Sequence, residues 1–239
     1  MSVTDLEAAP EDVAARLDRI RELQARVRGI EETRAVETHA VLPALARLFP
    51  SGGLRSGAAY SVKDSVALAM ALMAGASASG SWCGVIGVPE FGAEAAAALG
   101  VSLDRTVLVP DPGEHWIAVT SALVDVLPVV VLQAPERVAN GDVSRLAARL
   151  RRCGSTLVAL GSWPRCEARL SVLESKWRGL GLGDGHLVTR QVTVEAALRT
   201  GRRRTARLWL SGDRIESADP AAQAPTGVEP APRLDQVAS

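Results

Sequence analysis

The residues in this sequence that could do chemistry do not form a catalytic pattern. His39, His115 and His186 are far apart, and none keeps company with a nucleophile and an acid. There is no G-x-S-x-G and no H-E-x-x-H. His115 beside Trp116 reads as a helix N-terminus held by packing. Cys83, Cys153 and Cys166 show no C-x-x-C pairing, so neither a metal site nor a disulfide framework is expected. Cys83 lies in an apolar run and reads as a small core residue. The densest basic cluster is Arg202, Arg203, Arg204 and Arg207, in a turn entering a strand, where alternate side chains share a face. Such a face suits DNA phosphates, with affinity falling steeply in salt. It equally suits an edge strand guarded by charge against aggregation.

One junction could in principle hold a nucleotide. Ala58–Val62 reads as a strand and Ser65–Ser79 as a buried, Ala-rich helix, so the connection between them is the natural place for phosphates. A phosphate loop needs G-x-x-x-x-G-K-[ST]: glycines let successive N–H groups face the phosphates, the lysine reaches the β- and γ-phosphates, and the hydroxyl binds magnesium. The junction here is Tyr60-Ser61-Val62-Lys63-Asp64-Ser65-Val66, with no glycine between Gly57 and Gly75. Lys63 and Ser65 are not adjacent, and Asp64 puts a negative charge where phosphate would sit. A relocated phosphate-binding Lys63 is the competing reading. The expectation is a degenerate site with no cofactor, no metal and no catalytic residue.

Composition narrows the partners. Lys plus Arg equals Asp plus Glu at 27 each, which argues against a generally basic nucleic-acid binder but leaves a local patch open. Aromatic residues are 3% of the chain, so stacking platforms for single-stranded DNA are few. Trp163, Trp177 and Trp209 read as core or interface anchors. No apolar stretch is long enough to span a membrane, and Met1–Pro10 does not read as a signal peptide. A reducing cytoplasm is the expected compartment.

Stepping outward, Pro10-Glu11-Asp12 opens an amphipathic helix whose stripe is Val13, Leu17, Ile20, Leu23, Val27 and Ile30. It can pack on its own domain, or dock on a partner through Val13, Leu17, Ile20 and Val27. After a short apolar helix at Leu42–Phe49 the chain alternates: strands at Ala58–Val62, Trp82–Val88, Thr106–Val109, Pro128–Leu132 and Ser155–Leu160, with helices at Ser65–Ser79, Ala93–Leu99, Glu114–Val126 and Val143–Cys153. Near-continuous apolar strands between helices mean a parallel sheet covered on both faces. Past Pro164 the helices stop, and Arg169–Ser175, His186–Ala197 and Arg203–Leu210 read as added antiparallel strands. The expected division is an N-terminal helical extension (1–41), a core (42–210) and a disordered tail (211–239).

The order of elements and several phrases resemble the RecA core. Gly52-Gly-Leu-Arg-Ser-Gly57 is similar to the turn before RecA's first core strand. Gly100-Val-Ser-Leu-Asp-Arg105, with Val107 to Glu114, resembles the stretch after its second. The likeness covers roughly residues 42–165 and extends less surely to 210. It implies an α/β fold: a RecA-like core with a mostly parallel central sheet flanked by helices, and antiparallel strands at the C-terminal edge. The strand Pro128–Leu132 then stands at the Walker B position, where the expected acid is replaced by Gln133, which cannot hold magnesium as Asp does. Glu90 falls near RecA's catalytic glutamate but reads as a solvated loop carboxylate.

Phrases at Gly80–Gly92, Leu103–Trp116 and the hairpin-like end from Gly185 to Leu210 are similar to the ImuA-type (ImuA′) proteins of actinobacteria, in the SulA/RecA superfamily. That resemblance implies a non-catalytic accessory subunit of an SOS-induced translesion-synthesis mutasome. The partners it implies are an ImuB-type inactive Y-family polymerase homologue and, through the complex, an error-prone C-family DNA polymerase. Two other readings stay open. One is a nucleotide-independent RecA paralogue that binds single-stranded DNA; the other is a SulA-type cell-division inhibitor. Self-association is also open.

Overall fold

The computed structural model describes residues 37–178, 189–211 and 214–218. The stripe Val13, Leu17, Ile20 and Val27, His186 and the chain beyond 218 lie outside the described residues. A nine-stranded sheet organises the rest, in the order β11-β10-β9-β8-β3-β7-β6-β4-β5. Its parallel part is β3 (Ala59–Val62), β4 (Cys83–Ile86), β5 (Thr106–Val109), β6 (Val129–Gln133), β7 (Thr156–Leu160) and the first residues of β8 (Ala168–Arg178). β9 (Thr189–Leu198), β10 (Arg203–Ser211) and β11 (Arg214–Ser217) continue it antiparallel. This is the mixed α/β architecture expected from the sequence. Every residue of β3, β4 and β7 is buried, which is why these strands read as unbroken apolar runs rather than alternating ones.

Helices cover the two faces. On one lie α1 (Pro43–Ala46) and α2 (Val66–Ala78), whose residues from Leu68 to Ser77 are all buried. A helix apolar all round belongs inside the fold. Its interior Gly75 lets the backbone of Val41 pass against it: a Cβ there would lie 2.3 Å from the Val41 carbonyl carbon. The short α3 (Ala93–Ala98) follows β4. On the other face lie α4 (Trp116–Val124) and α5 (Asn140–Cys153). α5 buries Val143, Leu146 and Leu150 at helical spacing and stops at Gly154, whose φ of 71° is the left-handed cap that glycine takes without strain.

Two differences from the sequence reading have simple causes. The sheet runs past Leu210, because β11 pairs with β10 through Leu208↔Ser217 to Ser211↔Arg214, inside the stretch expected to be tail. Only Ile215 marks it as apolar; the ladder to β10, not hydrophobic alternation, makes it a strand. Ahead of the core, β1 (Thr38–His39) pairs with β2 (Leu54–Arg55). This clasp is tied to the end of α5 because the Gly154 carbonyl accepts from Ser56 Oγ at 2.7 Å and lies 2.9 Å from His39 Nε2. The core therefore includes Thr38 and His39, ahead of residue 42.

Candidate functional site

In parallel α/β sheets, ligands gather where the strands end. Register brings the expected positions to one edge: Val62 pairs with Leu160, Leu160 with Gln133, and Leu132 with Ile86. Lys63–Ser65, Gly87–Glu90, Gln133 and Gly161 thus follow neighbouring strand ends. Val62 and Gln133 are two strand spacings apart, about 10 Å. Lys63, Asp64, Ser65 and Glu90, read from the sequence at separate junctions, thus share an edge with Gln133.

What lies at that edge is short and internally satisfied. Only Lys63, Asp64 and Ser65 separate β3 from α2, and three residues reach at most about 10 Å fully extended. The Lys63 amide donates to the Leu170 carbonyl at 2.9 Å, extending the β3–β8 ladder. Asp64 turns the chain at φ 48°, a left-handed conformation normally left to glycine. Ser65 caps α2 with its own side chain: Oγ accepts from the Leu68 amide at 3.2 Å, and its carbonyl accepts from the Ala69 amide. Within β3 itself Ser61 Oγ donates to the carbonyl of Gly161, just past the neighbouring β7, at 2.7 Å, and Gly161 N donates back to the Val62 carbonyl. Lys63, Asp64, Glu90 and Gln133 are all exposed. The Lys63, Leu68 and Ala69 amides and the Ser65 hydroxyl are thus engaged with the protein's own chain, and no glycine in the turn aims further amides at a phosphate.

The remaining candidates separate. Arg203 and Arg204 point to opposite faces of β10. Arg203 pairs with Glu195 at 3.1 Å across the strand. Arg204 turns inward and donates to the carbonyls of Arg47 and Phe49, each at 3.1 Å, pinning the turn after α1. Arg202 is exposed in the β9–β10 turn, and Arg207 is on the Arg203 face. The basic run is therefore not one phosphate-facing row. Cys83 and Cys166 are buried, and burial pushes the Cys83 thiol up to about 12 and raises that of Cys166. His115 is exposed at the start of α4. Trp163 is buried in the core beneath α5, while Trp209 is only half-buried. Among the described residues, no group of three acidic, histidine or cysteine side chains is placed to hold a metal. No helix among them is long and apolar enough to cross a membrane.

A feature the sequence reading did not find is a groove between α4 and α5, about 630 Å³ in volume. Small side chains line its floor. At its C-terminal end Asp125 receives Arg149 at 2.8 Å, Arg152 at 3.5 Å and the Cys153 thiol at 3.5 Å.

Known proteins place this architecture. Residues 47–165 match a known family. This segment matches the MT3502 N-terminal domain. The matched interval runs from the turn after α1 to the chain just past β7, so it takes in the degenerate junction, Gln133 and both groove helices. Consistent with it, an uncharacterized protein of Mycobacterium tuberculosis, Rv3395c, is 30% identical over 128 residues. That alignment covers 52% of this chain and spans 63% of the relative's length. Among solved structures, the RadB recombinase superposes with a TM-score of 0.51 at 15% identity, over 74% of this chain and 97% of RadB. At that identity the likeness shows a RecA-like fold. The segment similar to the MT3502 N-terminal domain therefore has a RecA-like fold, with three residues between its first parallel strand and the following helix.

Proposed function

We propose that this protein is a non-catalytic adaptor of a translesion-synthesis complex, holding an ImuB-type inactive Y-family polymerase homologue and, through it, an error-prone C-family polymerase. The observation that carries the reading is the three-residue turn Lys63–Asp64–Ser65, with its helix capped by Ser65 itself. A RecA-like scaffold that cannot seat a triphosphate loses the chemistry of its relatives and keeps its surfaces. Gln133, in place of a magnesium-binding acid, supports the same conclusion. The mutasome assignment adds the ImuA-type phrases at Gly80–Gly92 and Leu103–Trp116 to the RecA-like fold. Fold alone does not assign function, so the choice of partner rests on those phrases.

The single-stranded DNA alternative loses support from the division of the arginines: Arg203 is paired with Glu195 and Arg204 is spent on the backbone of residues 47–49. The test is co-purification of the full chain with an ImuB-type protein from cells expressing both. A stable complex without nucleotide is expected. No complex under any nucleotide condition, or a complex that forms only with ATP, overturns the reading.

A further inference from the structure

We propose that the groove between α4 and α5 is the docking site for an acidic amphipathic helix of a partner protein; the inference rests on the adaptor reading and assigns it a surface. The floor is made by Ile117, Ala118 and Ala122 of α4 and Ala148 of α5. Short side chains on facing helices leave a trough into which a third helix can lay its ridge, with backbones brought close. Along one wall Arg145, Arg149 and Arg152 stand at i, i+4 and i+7, so they form one row about 10 Å long.

Charge decides the occupant. Three guanidinium groups face two carboxylates, Asp125 and Asp142, so the groove carries one excess positive charge. Arg145 and Arg152 are 84% and 68% exposed, and their ion pairs at 3.4 and 3.5 Å are loose. Such water-exposed pairs are worth little and exchange readily for incoming carboxylates. A partner helix with acids at the same i, i+4, i+7 spacing would meet the row with charge-assisted bonds while its aliphatic face fills the trough. Nucleic acid fits less well. No aromatic side chain lines the groove for a base to stack on, and its alanine floor offers an aliphatic surface that a phosphate backbone cannot use.

The test uses the full chain and a labelled helical peptide of about five turns, with Leu and Ala on one face and Glu at i, i+4 and i+7 beside it. A second peptide has Lys in place of each Glu. Fluorescence anisotropy should show the acidic peptide binding and the basic one not. Ala148→Trp, which fills the trough, and Arg145→Glu with Arg152→Glu, which reverses two exposed charges, should each weaken binding about tenfold or more. Arg202→Glu, in the distant β9–β10 turn, should leave it unchanged, and unaltered melting curves will show that the variants fold.

Failure of the acidic peptide to bind, equal binding of the basic one, indifference to Ala148→Trp, or displacement by a single-stranded oligonucleotide would each overturn the proposal. Co-purification with the ImuB-type protein, run on the same variants, keeps the two ideas apart. A complex that survives both groove variants removes the groove and leaves the adaptor standing. No complex with the unaltered chain removes the adaptor, and the peptide result then decides the groove by itself.

Discussion

Replacing Gly75 by alanine adds one methyl group where α2 crosses the backbone of Val41. The new Cβ would sit 2.3 Å from the Val41 carbonyl carbon, 2.4 Å from its Cα and 2.7 Å from its nitrogen. These neighbours are main chain and cannot rotate away. Ordinary contact requires a shift of about 1 Å in α2 or in residues 41–45, where Val41, Ala44 and Leu45 are buried. Overpacking of this kind typically costs 1–3 kcal/mol, and the close backbone contact puts Gly75 at the upper end, about 3 kcal/mol. Alanine recovers about 1 kcal/mol in helix propensity, leaving a net loss of about 2 kcal/mol. For a domain of this size that is about 4–8 °C in melting temperature. Gly141 in the first turn of α5 is the control: nothing lies within 4 Å of its Cβ position, so Gly141→Ala should be neutral or stabilise by up to about 1 kcal/mol. Thermal and urea unfolding of both variants measures the contrast. A Gly75→Ala protein at least as stable as the unaltered one would refute the packing of α2 on Val41.

Other expectations follow from single contacts. Tyr60 is the one tyrosine; it is buried, packed edge-on to Phe49 at 5.6 Å, and accepts the Arg55 amide at 2.8 Å. Burial pushes its hydroxyl up to about 12, the hydrogen bond from Arg55 pulling back only in part. Its pKa is thus raised above the unfolded value of about 10, so its stabilising effect is complete below pH 10. That effect is lost as pH climbs through 12, by up to about 3 kcal/mol. Ultraviolet titration should show no tyrosinate before unfolding begins, and normal ionisation in the folded protein near pH 10 would contradict this. Arg204→Ala should destabilise by about 1–2 kcal/mol, because the Arg47 and Phe49 carbonyls each lose a charge-assisted hydrogen bond, whereas Arg203→Ala, which removes a largely exposed guanidinium from Glu195, should change stability by less than about 1 kcal/mol. Urea unfolding of the pair checks it, and equal effects would count against the split of the arginines between two faces.

What could be read from the residues alone follows from how each element is stabilised. β4, β6 and α2 are apolar because they are enclosed, so composition marks them. The shortness of the Lys63–Ser65 turn was legible because both flanking elements were. β11 was not, since Ile215 is its one large apolar residue and its partner is a neighbouring strand. Alternation along β10 predicted that Arg203 and Arg204 would face apart. Nothing local says that Arg204 meets Phe49, 155 positions away. The groove was hidden for the same reason: Ala118, Ala122 and Ala148 are unremarkable singly, and only the packing of α4 on α5 makes them a floor.

A junction between β3 and α2 that is closed to nucleotide leaves ATP nothing to stabilise. Thermal unfolding of the full chain with and without millimolar ATP and magnesium tests this directly, because a ligand at a hundred times its Kd stabilises by about 2.7 kcal/mol. No shift in melting temperature is predicted. A rise of several degrees that disappears in Lys63→Ala would contradict it.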